Sequence, residues 1–173
     1  FATPFEEDEP GSTLIDDITY IHTAEGWLYL CVVVDLYAGQ VVGWSMSTVQ
    51  DRQLVLRAVL MACWQRPNRD PVILHSDRGT QFTSYEYQQF LKDHHIVPSM
   101  SAVGHCGDNA PAEGFFGMLK RERIHRRRYL TIADAKSDVF DYIERFHNPR
   151  IQRRLAALDR QFSVLTQPSV QTG

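Results

Sequence analysis

The 173-residue sequence has few cysteines and no long apolar run. Its three cysteines, Cys31, Cys63 and Cys106, show no CxxC spacing, which excludes a disulfide framework and a zinc-finger pattern and favours a reducing compartment. The longest apolar run ends at Val34, far short of the roughly 20 residues that a membrane-spanning helix needs. We therefore expect one soluble globular domain in the cytoplasm, without a membrane partner.

Lysine and arginine are absent from residues 1–51, which contain nine acidic side chains. The remaining 122 residues have 18 basic and 12 acidic side chains, and the excess lies between Lys120 and Arg160, where 12 basic groups face 6 acidic ones. Such a separation of charge indicates either a surface that binds a polyanion or an ordinary solvated basic helix. Charge alone does not decide between these two interpretations.

The order of strand-like and helix-like segments predicts an α/β fold. Segments rich in β-branched and aromatic residues at 14–23, 27–35 and 40–47 are joined by such short connections that they predict an antiparallel meander. Segments with helical periodicity follow and alternate with two further strands, PVILHSD and residues 96–100. We expect a five-stranded mixed sheet, made of the meander plus two parallel strands and flanked by helices.

Capping residues mark several helix boundaries. Asp51 is predicted to cap the first helix, and Thr83 with Glu86 three residues later is predicted to cap the second. A final helix is predicted to start at Thr131 and to end at Asn148-Pro149. Its inward stripe is predicted to consist of Ala135, Val139, Ile143 and Phe146.

Three carboxylates occupy unusual places in this pattern. Asp17 lies inside the first strand, where burying a carboxylate is costly, whereas its neighbour Asp16 must point to the opposite face and is predicted to be solvent-exposed or paired. Asp77 follows the fourth strand, at the edge where open α/β sheets bind ligands. Glu113 falls in the first turn of a helix. Taken singly, these three acids are also explained as an edge-strand charge, a turn residue and a favourable first-turn residue.

The three acids would meet near one edge of the sheet if the first and fourth strands are neighbours. Three oxygen ligands without a cluster of His or Cys favour a hard cation such as Mg²⁺. Two such ions could activate an attacking oxygen and stabilise a leaving oxygen at phosphorus.

The segments that contain these acids resemble a known family. The similarity to the catalytic core of IS3-family insertion-sequence transposases, relatives of retroviral integrases, lies in TLIDDITYIHTAEGWLYLCVVVDLYAGQVVGWSMS, HSDRGTQFTS and GHCGDNAPAEGFFGMLKRE. Thirty-five residues separate Asp77 from Glu113, the spacing of the acidic triad in this superfamily. The resemblance covers about residues 11–150 and implies an RNase H-like fold. It also implies that Asp17, Asp77 and Glu113 are catalytic and bind Mg²⁺ or Mn²⁺, as two ions.

The resemblance implies metal-dependent DNA strand cleavage and strand transfer during transposition. The expected partners are the element ends, the target DNA and further copies of the chain, in a bacterial cytoplasm and in association with the nucleoid. Two other interpretations stay open: a non-catalytic DNA-binding or assembly module derived from a transposase, and a stand-alone RNase H-like nuclease.

DNA contacts are predicted beside and beyond the triad. Lys120 follows Glu113 by seven residues, so both share one helix face and Lys120 could reach a phosphate next to the metals. For every predicted contact, the alternative is that the residue is an ordinary solvated, capping or turn residue without a role in DNA binding. The other predicted contacts are Gln81, Asn109, Arg121, Arg123, Arg126, Arg127 and Arg128.

The chain is predicted to have three parts: an extended acidic lead-in (1–12), an integrase-type catalytic core (13–148) and a basic and polar C-terminal tail (149–173). Because it begins at Phe1, we expect it to be a piece of a longer protein. The sequence departs from the family at Gly114, where a serine is usual, and in the tail, which lacks the usual ending. The upstream DNA-binding region of the family is also missing, so we expect no recognition of specific element ends.

Overall fold

The computed structural model describes residues 11–66, 70–76, 84–100 and 110–166. The strands are β1 (Thr13–Thr23), β2 (Gly26–Asp35), β3 (Val41–Ser47), β4 (Val72–Ser76) and β5 (Ile96–Met100). The helices are α1 (Arg52–Trp64), α2 (Tyr85–Asp93), α3 (Ala110–Glu122), α4 (Ile132–Asp141) and α5 (Asn148–Thr166), with a 3₁₀ turn at Ile124–Arg126 and a π-helical turn at Tyr142–His147. Five residues discussed above as cysteines, caps or candidate site residues lie outside the described ranges: Asp77, Gln81, Thr83, Cys106 and Asn109.

The five strands form one mixed sheet in the order β3-β2-β1-β4-β5. The pairs β1–β2 and β2–β3 are antiparallel, whereas β1–β4 and β4–β5 are parallel. The predicted meander with two added parallel strands is therefore confirmed, and β1 and β4 are neighbours, as convergence of the three acids requires. The last residues paired between these two strands are Asp16 and Ser76.

Helices cover both faces of the sheet. One face packs against α1 and α2, in a core that includes Leu14, Leu54 and Leu74. The other face packs against α3 and α4, in a core that includes Ile15 and Phe115. Side chains of β1 therefore alternate between two separate cores, as the two-residue period of a strand requires.

The predicted capping residues are confirmed at two helices and wrong at a third. Asp51 Oδ1 accepts the N–H of Leu54 at 3.1 Å, and Thr131 Oγ1 accepts the N–H of Asp134 at 3.0 Å. At α2 the cap is Ser84, one residue after the predicted Thr83, because the Ser84 hydroxyl accepts the N–H of Tyr87.

The helix end predicted at Asn148-Pro149 is wrong. The helix continues from α4 through the π-helical turn into α5, which ends at Thr166. The π-helical turn changes the hydrogen-bonding period directly before Pro149, and the continuous helix accommodates this proline, which lacks an N–H, as the second residue of α5. The Asn148 side chain anchors this junction to β3, since it donates to the Val41 carbonyl at 2.8 Å and accepts the Val41 N–H at 3.0 Å. The helix thus crosses the predicted boundary between core and tail.

The π-helical turn also shifts the inward face of the helix. Three predicted inward residues, Ala135, Val139 and Ile143, are fully buried. The fourth prediction is wrong, because Phe146 is 42% exposed and His147 is buried in its place. A wider turn adds a residue to the repeat and rotates the following side chains by about one position.

Within the described ranges, we find no helix with both the length and the apolar character needed to cross a membrane.

Candidate active site

Asp17 lies on the side of the sheet that α3 covers. Its neighbours Ile15 and Ile21 belong to the core beneath α3 and α4, whereas Leu14 and Ile18 pack on the opposite side. Asp17 is partly exposed, and its Oδ1 accepts the N–H of Ile18 at 2.8 Å. The strand therefore directs this carboxylate toward the helix that carries Glu113 while leaving it accessible to water.

Asp16 has a different environment on the opposite face. It is only 3% exposed, and the Ser76 hydroxyl donates to its Oδ2 at 2.9 Å. Of the two predicted alternatives, the paired one is confirmed and the exposed one is wrong, because α2 covers this part of the sheet. Burial and then the charge of Asp16 raise the pKa of Tyr87, and a hydrogen bond with Ser76 acts in the opposite direction.

The two adjacent carboxylates create a negative potential in the middle of the sheet. Cys31 lies on β2 opposite Ile18 of β1 and is fully buried. Its pKa is raised well above the usual value by burial and then by the charges of Asp16 and Asp17. A thiol in this state is protonated and unreactive.

Glu113 lies in the first turn of α3. Its neighbours Ala112, Phe115 and Phe116 are buried in the core that also contains Ile15, but Glu113 itself is exposed. A carboxylate in this position is favoured by the partial positive charge at the helix N-terminus. Asp17 and Glu113 thus belong to elements that pack on each other on one side of the sheet, and both carboxylates are open to solvent.

These two acids fit a hard divalent cation in their chemistry. They supply oxygen ligands, and both keep contact with water. Within residues 11–66, 70–76, 84–100 and 110–166, no three acids, histidines or cysteines form a ready metal-binding group. The third predicted ligand, Asp77, is bonded to Ser76 but lies outside these ranges, so the triad itself stays a prediction.

The basic residues after Glu113 have unequal environments. Lys120 is partly buried on α3, and Arg121 is exposed. Beyond the helix, Arg126 and Arg128 are exposed, and the Arg126 Nε donates to the Arg121 carbonyl at 2.9 Å. These four side chains keep guanidinium or ammonium groups near the surface, and their contact with DNA stays a prediction.

Arg123 and Arg127 bind carboxylates of α4 instead of standing free. Arg123 Nη1 lies 2.7 Å from Asp138 and 3.1 Å from Asp141, and Arg127 Nη1 lies 3.4 Å from Asp138. The Arg123 side chain is 22% exposed, whereas that of Arg127 is 60% exposed. Of the two, Arg127 therefore keeps the greater capacity to reach a phosphate.

Asp138 is the residue around which this cluster forms, and sequence reasoning missed it. Its side chain is only 4% exposed, and its Oδ2 accepts the Tyr129 hydroxyl at 2.5 Å. A depression of about 420 Å³ beside it is lined by Arg123, Arg127, Arg128, Tyr129, Asp134, Ser137, Asp138 and Asp141. The available signal was an acid between Ala135 and Val139 on an apolar helix stripe, because a buried carboxylate needs partners.

A second cluster joins the end of α3 to α5. The Tyr142 hydroxyl donates to Glu122 Oε2 at 2.9 Å, and Arg150 lies 3.5 Å from Glu122 Oε1. Burial and the hydrogen bond to Glu122 raise the pKa of Tyr142 to about 12. The helix that carries Glu113 is thus held at its C-terminal end by two polar clusters, one on α4 and one at the π-helical turn.

Comparison with known proteins identifies the family. Residues 7–106 match a family model described as Integrase core domain, and residues 113–163 match a second model with the same description. The chain belongs to the integrase core domain family. The second match extends past residue 148, in agreement with the continuous helix.

Insertion-sequence transposases are among its relatives. Transposase InsF for insertion sequence IS3A of Escherichia coli (strain K12) is 46% identical over 144 residues, which cover 83% of this chain and 50% of the relative. The transposase for insertion sequence element IS904 of Lactococcus lactis subsp. lactis (strain IL1403) is 39% identical over 146 residues, or 84% of this chain and 58% of the relative. The predicted resemblance to IS3-family transposases is thus confirmed, and the chain spans about half the length of these relatives.

Solved structures of low sequence identity share the fold. The HTLV-2 integrase catalytic core domain in complex with magnesium superimposes with a TM-score of 0.58 at 21% identity, over 78% of this chain and 88% of that one. The catalytic domain of Mos1 mariner transposase superimposes with a TM-score of 0.62 at 14% identity, over 83% of this chain and 76% of that one. The predicted RNase H-like fold is therefore confirmed.

Proposed function

We propose that this integrase core cuts DNA strands at the ends of an insertion sequence and joins them to a target strand. The observation that carries the proposal is the placement of Asp17. In a chain of this family, β1 presents Asp17 on the face covered by the helix of Glu113, and β1 pairs with β4 up to Ser76, the residue bonded to Asp77. The catalytic domain would comprise residues 13–148 together with the part of α5 that packs on it.

Asp17, Asp77 and Glu113 are the residues that would hold the metal, Mg²⁺ or Mn²⁺, as two ions. The magnesium in the related HTLV-2 integrase core supports this choice. When bound, such ions would activate an attacking oxygen and stabilise a leaving oxygen at phosphorus. The chain itself then needs no nucleophilic side chain, because a water or a 3′-hydroxyl attacks.

DNA would be held by the basic surface that follows the catalytic helix. Lys120, Arg121 and Arg126 to Arg128 would contact phosphates, and Gln81 and Asn109 would contact DNA beside the acids. Arg123 is the exception, since we propose that its pairing with Asp138 makes it support the surface and not touch DNA. Binding by this surface should weaken steeply with salt, because each phosphate contact releases counterions.

The sources and assemblies of the relatives support two coarser proposals. The transposases compared above come from bacteria, so we propose that the chain acts on the bacterial nucleoid. One HTLV-2 integrase core was solved in a dimeric form, and paired element ends need more than one active site. We therefore propose that the working unit is a homo-oligomer on DNA.

The test replaces each acid by its amide in the full-length protein: Asp17→Asn, Asp77→Asn and Glu113→Gln. We expect strand cleavage and strand joining on labelled element-end oligonucleotides with Mn²⁺ to fall at least about 100-fold, because ion binding contributes several kcal/mol to the barrier. The affinity for Mn²⁺, measured by calorimetric titration, should fall in parallel. Glu86→Gln is the matched control, because Glu86 is exposed on α2, outside the site, and should leave both measurements unchanged.

The same assay separates the alternatives. An Asp77→Asn protein that still joins strands contradicts the triad. Cut but never joined product from the unsubstituted protein would indicate a nuclease, and DNA binding without Mn²⁺ binding would indicate an assembly module.

A further inference from the structure

The last helix carries an apolar stripe that emerges from the domain. Five residues of α5 follow one another at intervals of four, three, four and three, and they are Ile151, Leu155, Leu158, Phe162 and Leu165. Their exposure increases along the helix, from 6% at Ile151 to 43% at Leu158, 64% at Phe162 and 79% at Leu165. The domain therefore covers the start of this stripe, and the described residues leave its end open.

The spacing of this stripe is that of a coiled coil. Alternating steps of three and four average 3.5 residues, which keeps one narrow seam facing a partner helix. Leu155 and Phe162 then take the a positions, and Leu158 and Leu165 the d positions. The positions farthest from the seam are Arg153 and Arg160, both exposed. A charged back and an apolar seam are typical of a helix that pairs with another helix.

The charges beside the seam select the partner and its direction. In a parallel pair, a g residue of one helix meets the e residue five positions later on the other helix. Arg154 is a g residue and Asp159 is the e residue five positions later. Two copies of this helix would therefore form two symmetrical Arg154–Asp159 ion pairs.

Both charges are available for this contact. Asp159 is the one acid in the sequence of α5, and no basic residue lies three or four positions from it on this helix. Among the described residues, no ion pair involves Asp159. Arg154 donates from Nη2 to the Ala38 carbonyl at 3.2 Å, which uses one of the five N–H groups of a guanidinium.

We propose that the exposed half of α5 pairs with α5 of a second copy of this chain as a short parallel coiled coil. This inference does not depend on the proposed catalysis, because no seam residue belongs to the acidic site. The three exposed seam side chains offer on the order of 100 Å² each, so a pair buries on the order of 600 Å² in total, below the roughly 1,200 Å² of stable interfaces. The isolated chain should therefore dimerise only weakly.

Sedimentation of the whole chain over a concentration series tests the seam. We expect a monomer–dimer equilibrium that Phe162→Glu weakens at least about tenfold. Val164→Glu is the matched control, since Val164 is 72% exposed but lies off the seam, and it should leave the equilibrium unchanged. Asp159→Arg should also weaken dimerisation, and Arg154→Asp combined with Asp159→Arg should restore it. A strictly monomeric chain, or equal effects at 162 and 164, would overturn the proposal.

Disulfide trapping tests the parallel direction. In a background with Cys63 and Cys106 replaced by serine, Phe162→Cys should form a covalent dimer on mild oxidation, because equivalent seam residues face each other in a parallel pair. Arg160→Cys, on the far side of the helix, should form none. Cross-linking at 160 but not at 162, or a trimer mass by sedimentation, would contradict the proposed pairing.

Discussion

Replacing Asp138 by asparagine tests whether the buried cluster behind the basic surface stabilises the domain. The change preserves the size of the side chain and removes its charge from a site that is 4% exposed. It weakens the contacts to Arg123 at 2.7 Å, to Tyr129 at 2.5 Å and to Arg127 at 3.4 Å.

The expected cost follows from these contacts. Each of the two shorter bonds to a charged carboxylate contributes about 1.5–3 kcal/mol. The amide oxygen still accepts one of them, and Asp141 at 3.1 Å still balances part of the Arg123 charge. We therefore expect the free energy of unfolding to fall by about 2–4 kcal/mol, which overlaps the range of about 3–5 kcal/mol seen when a buried ion pair loses one partner. Such a loss is a large fraction of the roughly 5–15 kcal/mol that stabilises a typical domain.

Urea unfolding followed by tryptophan fluorescence measures this cost. The matched control is Arg145→Gln, which breaks a 3.8 Å pair with Asp141 in which the arginine is 76% exposed, so it should cost less than about 1 kcal/mol. A second readout is the phenol of Tyr129, whose pKa is raised by burial and then by Asp138; absorbance titration should show it ionising earlier in Asp138→Asn. Equal unfolding free energies for the two variants would refute the idea that burial makes this cluster strong.

Two further predictions concern packing and pH. Gly43→Ala should destabilise the domain by about 1–3 kcal/mol in the same unfolding assay, because a Cβ there would lie 2.9 Å from the Ala62 Cβ and would collide with the backbone of α1; an unchanged midpoint would show that β3 and α1 can separate. Burial lowers the pKa of His147, against the hydrogen bond to the Gly39 carbonyl. Since the unfolded chain then binds the proton first, the free energy of unfolding should fall as the pH drops below about 6.5. His147→Gln should flatten that decrease, and an identical pH profile would contradict the assignment.

The sheet was predictable because its signals are local. Short connections between three strand-like segments allow only antiparallel neighbours, and helix caps such as Asp51 sit beside the helices they begin. The failures have nonlocal causes. The pair Asn148-Pro149 is typical of a helix end, but Asn148 bonds to Val41, 107 residues away in the sequence, and this contact lies directly after the π-helical turn through which the helix continues.

The positions of two acids of the candidate site were predictable for a similar reason. Asp17 stands out because a strand interior rarely contains a carboxylate, and Glu113 because of its place in a first helical turn. Arg123 looked like its basic neighbours, since the sequence does not show that Asp138 lies against it. Which arginine pairs with Asp138 is set by the way the chain after α3 lies against α4, and no spacing rule within a single helix contains that information.

The adjacent acids Asp16 and Asp17 show how the fold assigns separate roles to identical side chains. The pleat of β1 sends them to opposite faces, so a slip of one residue in register would exchange them. The bond from Ser76 to Asp16 forms only when β1 and β4 pair as observed, and an unpaired carboxylate at that buried place would be costly. The buried acid therefore selects the register that leaves Asp17, and not Asp16, on the face of Glu113. A structural hydrogen bond on one side of the sheet thus specifies which of the two acids faces the helix of Glu113 on the other.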